Sequence, residues 1–237
     1  MHTFYIKQPD GSLRPALQDK IDNLNKPKGS MGLLEDLALQ IGLIQHTLSP
    51  SLNNPCHLLL GGDHGIVAEG VSATPKEVTW QQMLNFTHGG GGVNLFCRQH
   101  HFHLRIVDMG VDHDLSSVPG ILNDKIDYGT KNFLYGPAMT ERQFDDAIEK
   151  GVQLVNACYS EGCNVISLGE MGVGNTSASS IWMSLFCNLP LAECVGSGSG
   201  LDSEQVKHKY KVLQQAVDRS LNHYDDRGRE RTIPILR

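Results

Sequence analysis

Apolar positions in the first fifty residues recur at the spacing of helices. Residues 15–26 alternate apolar and polar side chains with that period and stop at residues 26–30, Lys-Pro-Lys-Gly-Ser. Ser30 is a typical helix N-cap, and after it leucine and isoleucine recur at intervals of three and four up to Ile44. The pattern predicts a small N-terminal helical piece over residues 1–50.

After residue 50, short apolar runs alternate with helical patterns. The runs end in glycine and are typical of buried strands; they lie at 57–60, 104–110 and 164–168. Helices are predicted at 76–87, 93–100, 141–159 behind Thr140 as N-cap, 176–185 and 202–220. Alternation of this kind predicts an α/β fold over residues 51–220: a doubly wound, mainly parallel sheet flanked by helices. Residues 221–237 are highly charged and are predicted to form an exposed tail.

Small and polar residues cluster where the predicted strands end, at 61–65, 110–114 and 169–176. Ligands of open α/β sheets bind at such carboxyl ends. The segment 169–176 joins a strand to a helix through three glycines, so its N–H groups can face an anion. The same glycines could equally serve tight packing, with Asn175 or Thr176 as the helix cap; the spacing alone does not decide between them. Glu170 would repel a phosphate and is expected to face a cationic or proton-bearing part of a substrate.

A second glycine-rich segment, residues 195–202, precedes the last helix. It matches neither a dinucleotide-binding fingerprint nor a P-loop. Lys209 lies two turns into that helix and could bind a phosphate, although its position beside Lys207 and Lys211 favours a solvated surface lysine.

Composition and charge exclude several classes of function. The chain has 237 residues, 40% of them hydrophobic, and a net charge of −6 without a long basic run, so binding of nucleic acid or of an anionic membrane is not expected. Its six cysteines form no Cys-x-x-Cys pair, and no segment has the length of a membrane span, so a cytoplasmic protein with free thiols is predicted.

Asp63 and His64 point in opposite directions at a strand end and do not form a dyad. The cluster His100, His101 and His103 lacks carboxylate or cysteine partners, so neither a metal nor a cofactor is expected.

Five segments in this order resemble the nicotinate-nucleotide–dimethylbenzimidazole phosphoribosyltransferase family. They are Lys26–Glu35, Asp63–Phe86 with its Asp-His-Gly and Thr-Pro-Lys-Glu-Val-Thr motifs, the glycines 89–92, Gly169–Thr176 and Gly196–Lys209. The resemblance covers roughly residues 15 to 220. It implies transfer of phosphoribosyl from nicotinate mononucleotide to 5,6-dimethylbenzimidazole, giving α-ribazole 5′-phosphate and nicotinate in cobalamin biosynthesis.

The resemblance also implies roles for individual residues. Thr74 and Gln82 would line the benzimidazole pocket, while Glu170, Met171 and Gly172 would lie near both substrates. The nucleotide phosphate would be held by Gly196, Gly198 and Lys209, with Asn175 and Thr176 at the neighbouring helix start. The family also gives the expectation of a homodimer.

The sequence departs from the family pattern at two places. Lys28 replaces a proline of the first motif. In the family, the segment matching 196–220 is followed by about another third of the protein. That part includes a glycine-rich segment with the glutamate regarded as general base. The sequence is therefore expected to be a C-terminally truncated relative in which Glu170 is the remaining candidate base. Two alternatives to an active enzyme stay open: an inactive relative that binds only the base or the nucleotide, and a fragment that is unstable alone.

Overall fold

The chain comprises two compact units, divided between Asn53 and Asn54, in a computed structural model that describes residues 3–222. The hydrophobic pattern places this division between residues 50 and 51. Of the predicted charged tail at 221–237, residues 221 and 222 end the last helix, and residues 223–237 lie outside the described part.

The first unit is helical. A 3₁₀ turn at Gly11–Leu13 leads into α1 (Arg14–Asp22), and α2 follows at Leu33–Ile44. Leu17 of α1 is buried against α2, where a Cβ added at Gly42 would lie 2.5 Å from a Leu17 methyl carbon. Glycine at position 42 therefore allows the two helices to approach closely.

The start of α2 differs from the prediction, because Ser30 is not its N-cap. The N–H of Ser30 donates to the Pro27 carbonyl in a turn, and the helix follows Gly32, whose φ of 53° favours glycine. Glu35 accepts hydrogen bonds from the N–H groups of Gly29 and Met31 and pairs with Lys26 at 2.8 Å. The bond from Lys26, and then those from the backbone, lower the pKa of Glu35.

The second unit is built on a four-stranded sheet in the order β3-β2-β1-β4, and each neighbouring pair is parallel. The strands are β1 (Cys56–Gly62), β2 (His103–Gly110), β3 (Ile121–Asn123) and β4 (Ile166–Met171). The predicted parallel α/β fold is confirmed. The three-residue β3 is too short to give a periodic pattern, and β4 runs beyond the predicted strand because β1 pairs with it as far as Met171.

Helices cover both faces of this sheet. The helices are α3 (Val78–Thr87), α4 (Gly92–Gln99), α5 (Glu141–Ser160), α6 (Asn175–Cys187), α7 (Leu191–Cys194) and α8 (Ser203–Asn222). On one face, Leu58 of β1 packs with Leu154 of α5; on the other, Leu59 packs with Met83 of α3. Successive residues of a strand point to opposite faces, so one apolar run supplies both layers.

A third apolar cluster lies among the helices that follow β4. Ile181 of α6, Leu191 of α7 and Leu213 of α8 pack with Ile66, which belongs to a 3₁₀ turn at Gly65–Glu69 directly after β1. Because Ile66 directly follows β1, this cluster packs α6 and α8 against the segment at the carboxyl end of that strand.

β4 is an edge strand, and its outer side has no strand partner among the described residues. Leu168 of β4 is 71% exposed, while its register partner Leu58 on β1 is 2% exposed. Exposed apolar edge strands favour self-association. We expect Leu168→Thr to lower light scattering of concentrated protein and to change the free energy of unfolding by less than about 0.5 kcal/mol.

The matched control is Leu58→Thr, which removes a buried side chain at the paired position and should cost about 3 kcal/mol in urea unfolding. Equal destabilisation by the two substitutions would contradict the exposed position of Leu168.

Candidate functional site

The candidate site lies where the strand order of the sheet changes direction. β2 and β3 lie on one side of β1, and β4 lies on the other, so the crevice between the ends of β1 and β4 is a topological switch point. Ligands of open α/β sheets bind in such a crevice. Because all pairs are parallel, the segments 61–65, 110–114 and 169–176 reach the same edge of the sheet, as the strand pattern predicts.

A cavity of about 310 Å³ opens at this edge. We call it the glycine cavity; it is lined by Val71, Ser72, Thr74, Val78, Gln82, Met171, Gly172, Val173, Gly174, Asn175, Thr176, Gly198 and Ser199. Every residue predicted to bind substrate lines it except Gly196 and Lys209. Segments that are far apart in the chain are thus brought around one space.

Tight packing shapes the loop between β4 and α6. A Cβ at Gly172 would lie 2.1 Å from the Gly62 carbonyl oxygen, and Gly174 has a φ of 87° as the N-cap of α6. The alternative prediction that Asn175 or Thr176 is the helix cap is wrong. The left-handed backbone conformation required before the helix favours glycine. The buried Thr79 accepts the Val173 N–H at 3.0 Å and ties the loop to α3, a contact that the sequence did not suggest.

Hydroxyl groups join the other walls of the glycine cavity. Thr74 Oγ1 donates to Ser199 Oγ at 2.7 Å, and Ser72 Oγ accepts the Thr74 N–H at 3.2 Å. These bonds connect the loop that precedes α3 to the glycine-rich segment that precedes α8.

Lys209 is buried behind this cavity. Its side chain is 1% exposed, and Nζ donates to Thr176 Oγ1 at 2.8 Å and to the Gly196 carbonyl oxygen at 3.4 Å. A Cβ at Gly198 would lie 3.6 Å from the same Nζ. The interpretation of Lys209 as a solvated surface lysine is wrong. Its position on the apolar stripe of α8, with Val212, Leu213 and Ala216, was a signal of burial.

Burial lowers the pKa of Lys209 from its ordinary 10.5. Removal of the ammonium group from water is the cause, and no carboxylate within residues 3–222 forms an ion pair with it. A desolvated cation that donates to a hydroxyl at the first turn of α6 makes this wall of the cavity favourable for an anion.

The lowered pKa of Lys209 predicts how stability depends on pH. The penalty for burying the ammonium is fully present below the folded-state pKa and disappears as the pH rises from that value to 10.5, because folding releases a proton in this window. Relative to Lys209→Met, which cannot titrate, the free energy of unfolding of the wild type should therefore rise as the pH approaches 10.5. Urea unfolding from pH 7 upward measures the difference; a constant difference would contradict it.

Glu170 does not line the glycine cavity. Its Oε1 lies 3.0 Å from Nε2 of His64, which follows β1 across the switch point. Two further cavities, of about 330 and 570 Å³, share His64 and Glu170 in their walls. Asn175 lines both the larger of these and the glycine cavity, so the two spaces lie on either side of the start of α6.

The sequence did not identify the contact between His64 and Glu170. It did predict that Asp63 is not the partner of His64: Asp63 is buried, and its Oδ2 accepts the Asp112 N–H at 2.8 Å. A neighbouring carboxylate for His64 could have been inferred from the parallel pairing of β1 and β4 had their register been known.

Neither a metal centre nor a membrane span is found in the described part of the chain. Within residues 3–222, no group of three or more His, Cys, Asp or Glu side chains is arranged to hold a metal ion. No helix in the same range combines the length and apolar character needed to cross a bilayer.

Fold and site together define an α/β protein with an anion-favourable cavity at the carboxyl end of a parallel sheet. Residues 6–235 match the sequence model of the family DBI_PRT, described as phosphoribosyltransferase, and the chain belongs to this family. Relatives named nicotinate-nucleotide–dimethylbenzimidazole phosphoribosyltransferase include that of Bacteroides fragilis, 58% identical over 96% of this chain and 65% of the relative. The relative from Phocaeicola vulgatus is 56% identical over 98% of this chain and 66% of its own length.

Similarity to solved structures supports the same family membership. The crystal structure of CobT from Thermus thermophilus superposes with a TM-score of 0.83 at 32% identity, covering 94% of this chain and 65% of that protein. The chain thus spans about two thirds of the length of the relatives that it matches.

Proposed function

We propose that the chain transfers phosphoribosyl from nicotinate mononucleotide to 5,6-dimethylbenzimidazole, giving nicotinate and α-ribazole 5′-phosphate, the lower-ligand nucleotide of cobalamin. One observation carries the proposal: a buried lysine, with no acidic partner among the described residues, stands behind a glycine-lined cavity at the start of a helix. The names of the relatives support the identity of the substrates.

The phosphate of the nucleotide would bind at the wall formed by Gly198, Thr176 and Lys209. A phosphate oxygen there would gain a charge-assisted hydrogen bond from Nζ and the field of the N-terminus of α6. Gly196, whose carbonyl accepts from Nζ, holds the lysine in place. The absence of a Cβ at Gly198 leaves the approach to Thr176 and Lys209 open.

The flat benzimidazole would bind beside Thr74, Gln82, Met171 and Gly172, which line the same cavity. The Gln82 amide supplies a polar group for a ring nitrogen, while Met171 and Val78 supply apolar surface. Asn175 then stands between the nucleotide and the cavity that contains Glu170.

The reaction balances without a metal or redox partner. A lone pair on one benzimidazole nitrogen forms a bond to C1′ of the ribose, and the bond from C1′ to the pyridinium nitrogen breaks with its electron pair going to nicotinate. The departing ring loses its positive charge and therefore needs no acid. The other benzimidazole nitrogen releases its proton to a base, for which Glu170, in the wall of the neighbouring cavity, is the candidate. Holding both substrates in one orientation supplies much of the remaining rate.

The test is incubation of the purified full chain with nicotinate mononucleotide and 5,6-dimethylbenzimidazole, with α-ribazole 5′-phosphate quantified by mass spectrometry. Formation of product in proportion to enzyme supports the proposal. Folded protein that binds either compound by calorimetry without turnover would contradict catalysis and favour a binding protein. A cytoplasmic location and a homodimer stay predictions.

A further inference from the structure

Two parts of the glycine cavity, helix α3 and the loop between β4 and α6, are packed separately against the end of β1. A Cβ added at Gly61 would lie 2.5 Å from Cε of Met83, so α3 lies close to this strand. A Cβ added at Gly172 would lie 2.1 Å from the Gly62 carbonyl oxygen, so the loop lies close to the next residue of the same strand. Helix and loop therefore have little room to move toward the sheet.

One hydrogen bond joins this helix to this loop directly. The Val173 N–H donates to Thr79 Oγ1 at 3.0 Å, and within residues 3–222 no other hydrogen bond connects α3 with residues 172–174. Thr79 is 0% exposed and Val173 is buried, so water does not replace the hydroxyl as the acceptor. The bond therefore holds α3 and the loop at a fixed separation.

The residues next to this bond line the part of the cavity proposed for the benzimidazole. Val78 and Gln82 lie on either side of Thr79 in the sequence of α3 and line the cavity. Met171 and Gly172 line it from the loop. A flat ring in contact with both elements takes an orientation that depends on their separation.

We propose that Thr79 is a positioning residue: its hydroxyl fixes the separation of α3 and the loop, and so directs the attacking nitrogen of the benzimidazole toward C1′ of the ribose. The inference rests on the proposed function. Thr79 does not line the cavity, so it acts through the groups that do. The effect of such a residue can be large, because misplacement of a reacting group by about 1 Å can lower the rate roughly 100-fold.

The substitutions Thr79→Val and Thr79→Ser separate the hydrogen bond from packing. Valine has nearly the shape of threonine but cannot accept the Val173 N–H, whereas serine keeps the hydroxyl and loses only a methyl group. With both substrates saturating, we expect Thr79→Val to lower kcat roughly 10- to 100-fold and to change KM for nicotinate mononucleotide less than about 3-fold. KM is kept because the proposed phosphate wall, where Lys209 donates to Thr176, belongs to α6 and α8. Thr79→Ser should recover most of the lost kcat.

The matched control is Thr87→Val, the same chemical change at the other end of α3. Thr87 Oγ1 donates to the Leu84 carbonyl oxygen of its own helix at 2.8 Å, and Thr87 does not line the glycine cavity. Its replacement should leave kcat unchanged. A lower kcat in Thr87→Val equal to that of Thr79→Val would show a general effect of altering α3 and would overturn the role of Thr79.

Hydrogen exchange followed by NMR tests the bond without reference to activity. The Val173 amide should exchange roughly 10-fold faster in Thr79→Val than in the wild type or Thr79→Ser. Equal exchange in all three, an unchanged kcat in Thr79→Val, an equal loss of kcat in Thr79→Ser, or a change confined to KM would overturn the inference while the proposed function stands. A folded wild-type chain without turnover would overturn both.

Discussion

Lys209→Met should weaken the binding of nicotinate mononucleotide roughly 10- to 100-fold and leave the fold as stable as before or more stable. The affinity falls because a charge-assisted hydrogen bond to phosphate contributes about 1.5–3 kcal/mol, and about 1.4 kcal/mol corresponds to a factor of ten. The stability is kept because methionine fills the same buried space without a desolvated charge. Calorimetry measures the first effect and thermal unfolding the second.

The matched control is Lys207→Met, two residues earlier on α8. Lys207 is exposed and pairs with Glu204 on the helix surface, so its replacement should change neither nucleotide affinity nor stability appreciably. Equal affinities of Lys209→Met and wild type would contradict the assignment of the phosphate to this wall of the glycine cavity. Destabilisation by Lys209→Met would contradict the view that the ammonium is buried at a cost.

Gly172→Ala should destabilise the second unit by about 3 kcal/mol, the upper part of the range for overpacking. The added Cβ would lie 2.1 Å from a backbone oxygen of β1, which cannot move without disturbing the sheet. In a chain of this size such a change lowers the unfolding midpoint by about 6–12 °C, measured by circular dichroism.

Gly151→Ala is the matched control: the chemical change is the same, but we expect it to stabilise the fold. Gly151 lies within α5, and a Cβ there meets no atom within 4 Å. Alanine in a helix interior stabilises by about 0.5–1 kcal/mol relative to glycine, so the midpoint should rise slightly. If Gly172→Ala is as stable as the wild type, the backbone approach at Gly172 is looser than the contact distance implies.

The long helices could be predicted because their signals are local. α5 begins where Thr140 predicts it, and the Thr140 hydroxyl accepts the Gln143 N–H at 3.2 Å. The start of α2 could not be predicted in the same way, since Ser30 has the residue type of a cap but lies within a turn that Gly32 completes. Residue type alone does not report the backbone conformation that neighbouring glycines permit.

The site was predicted in outline and not in its contacts. Strand ends rich in glycine indicated where a ligand binds, and the parallel sheet brings those ends to one edge. The burial of Lys209 was missed because its charged neighbours outweighed its position on the apolar stripe of α8.

The sequence by itself determined the order of the longer helices and strands and the family to which the chain belongs, because periodicity and motifs are encoded by residues close together in the chain. The tertiary structure alone decided which side chains meet at the site. His64 and Glu170 are 106 residues apart, and Lys209 and Thr176 are 33 apart. Their contacts depend on strand register and helix packing, which arise from many distant interactions at once.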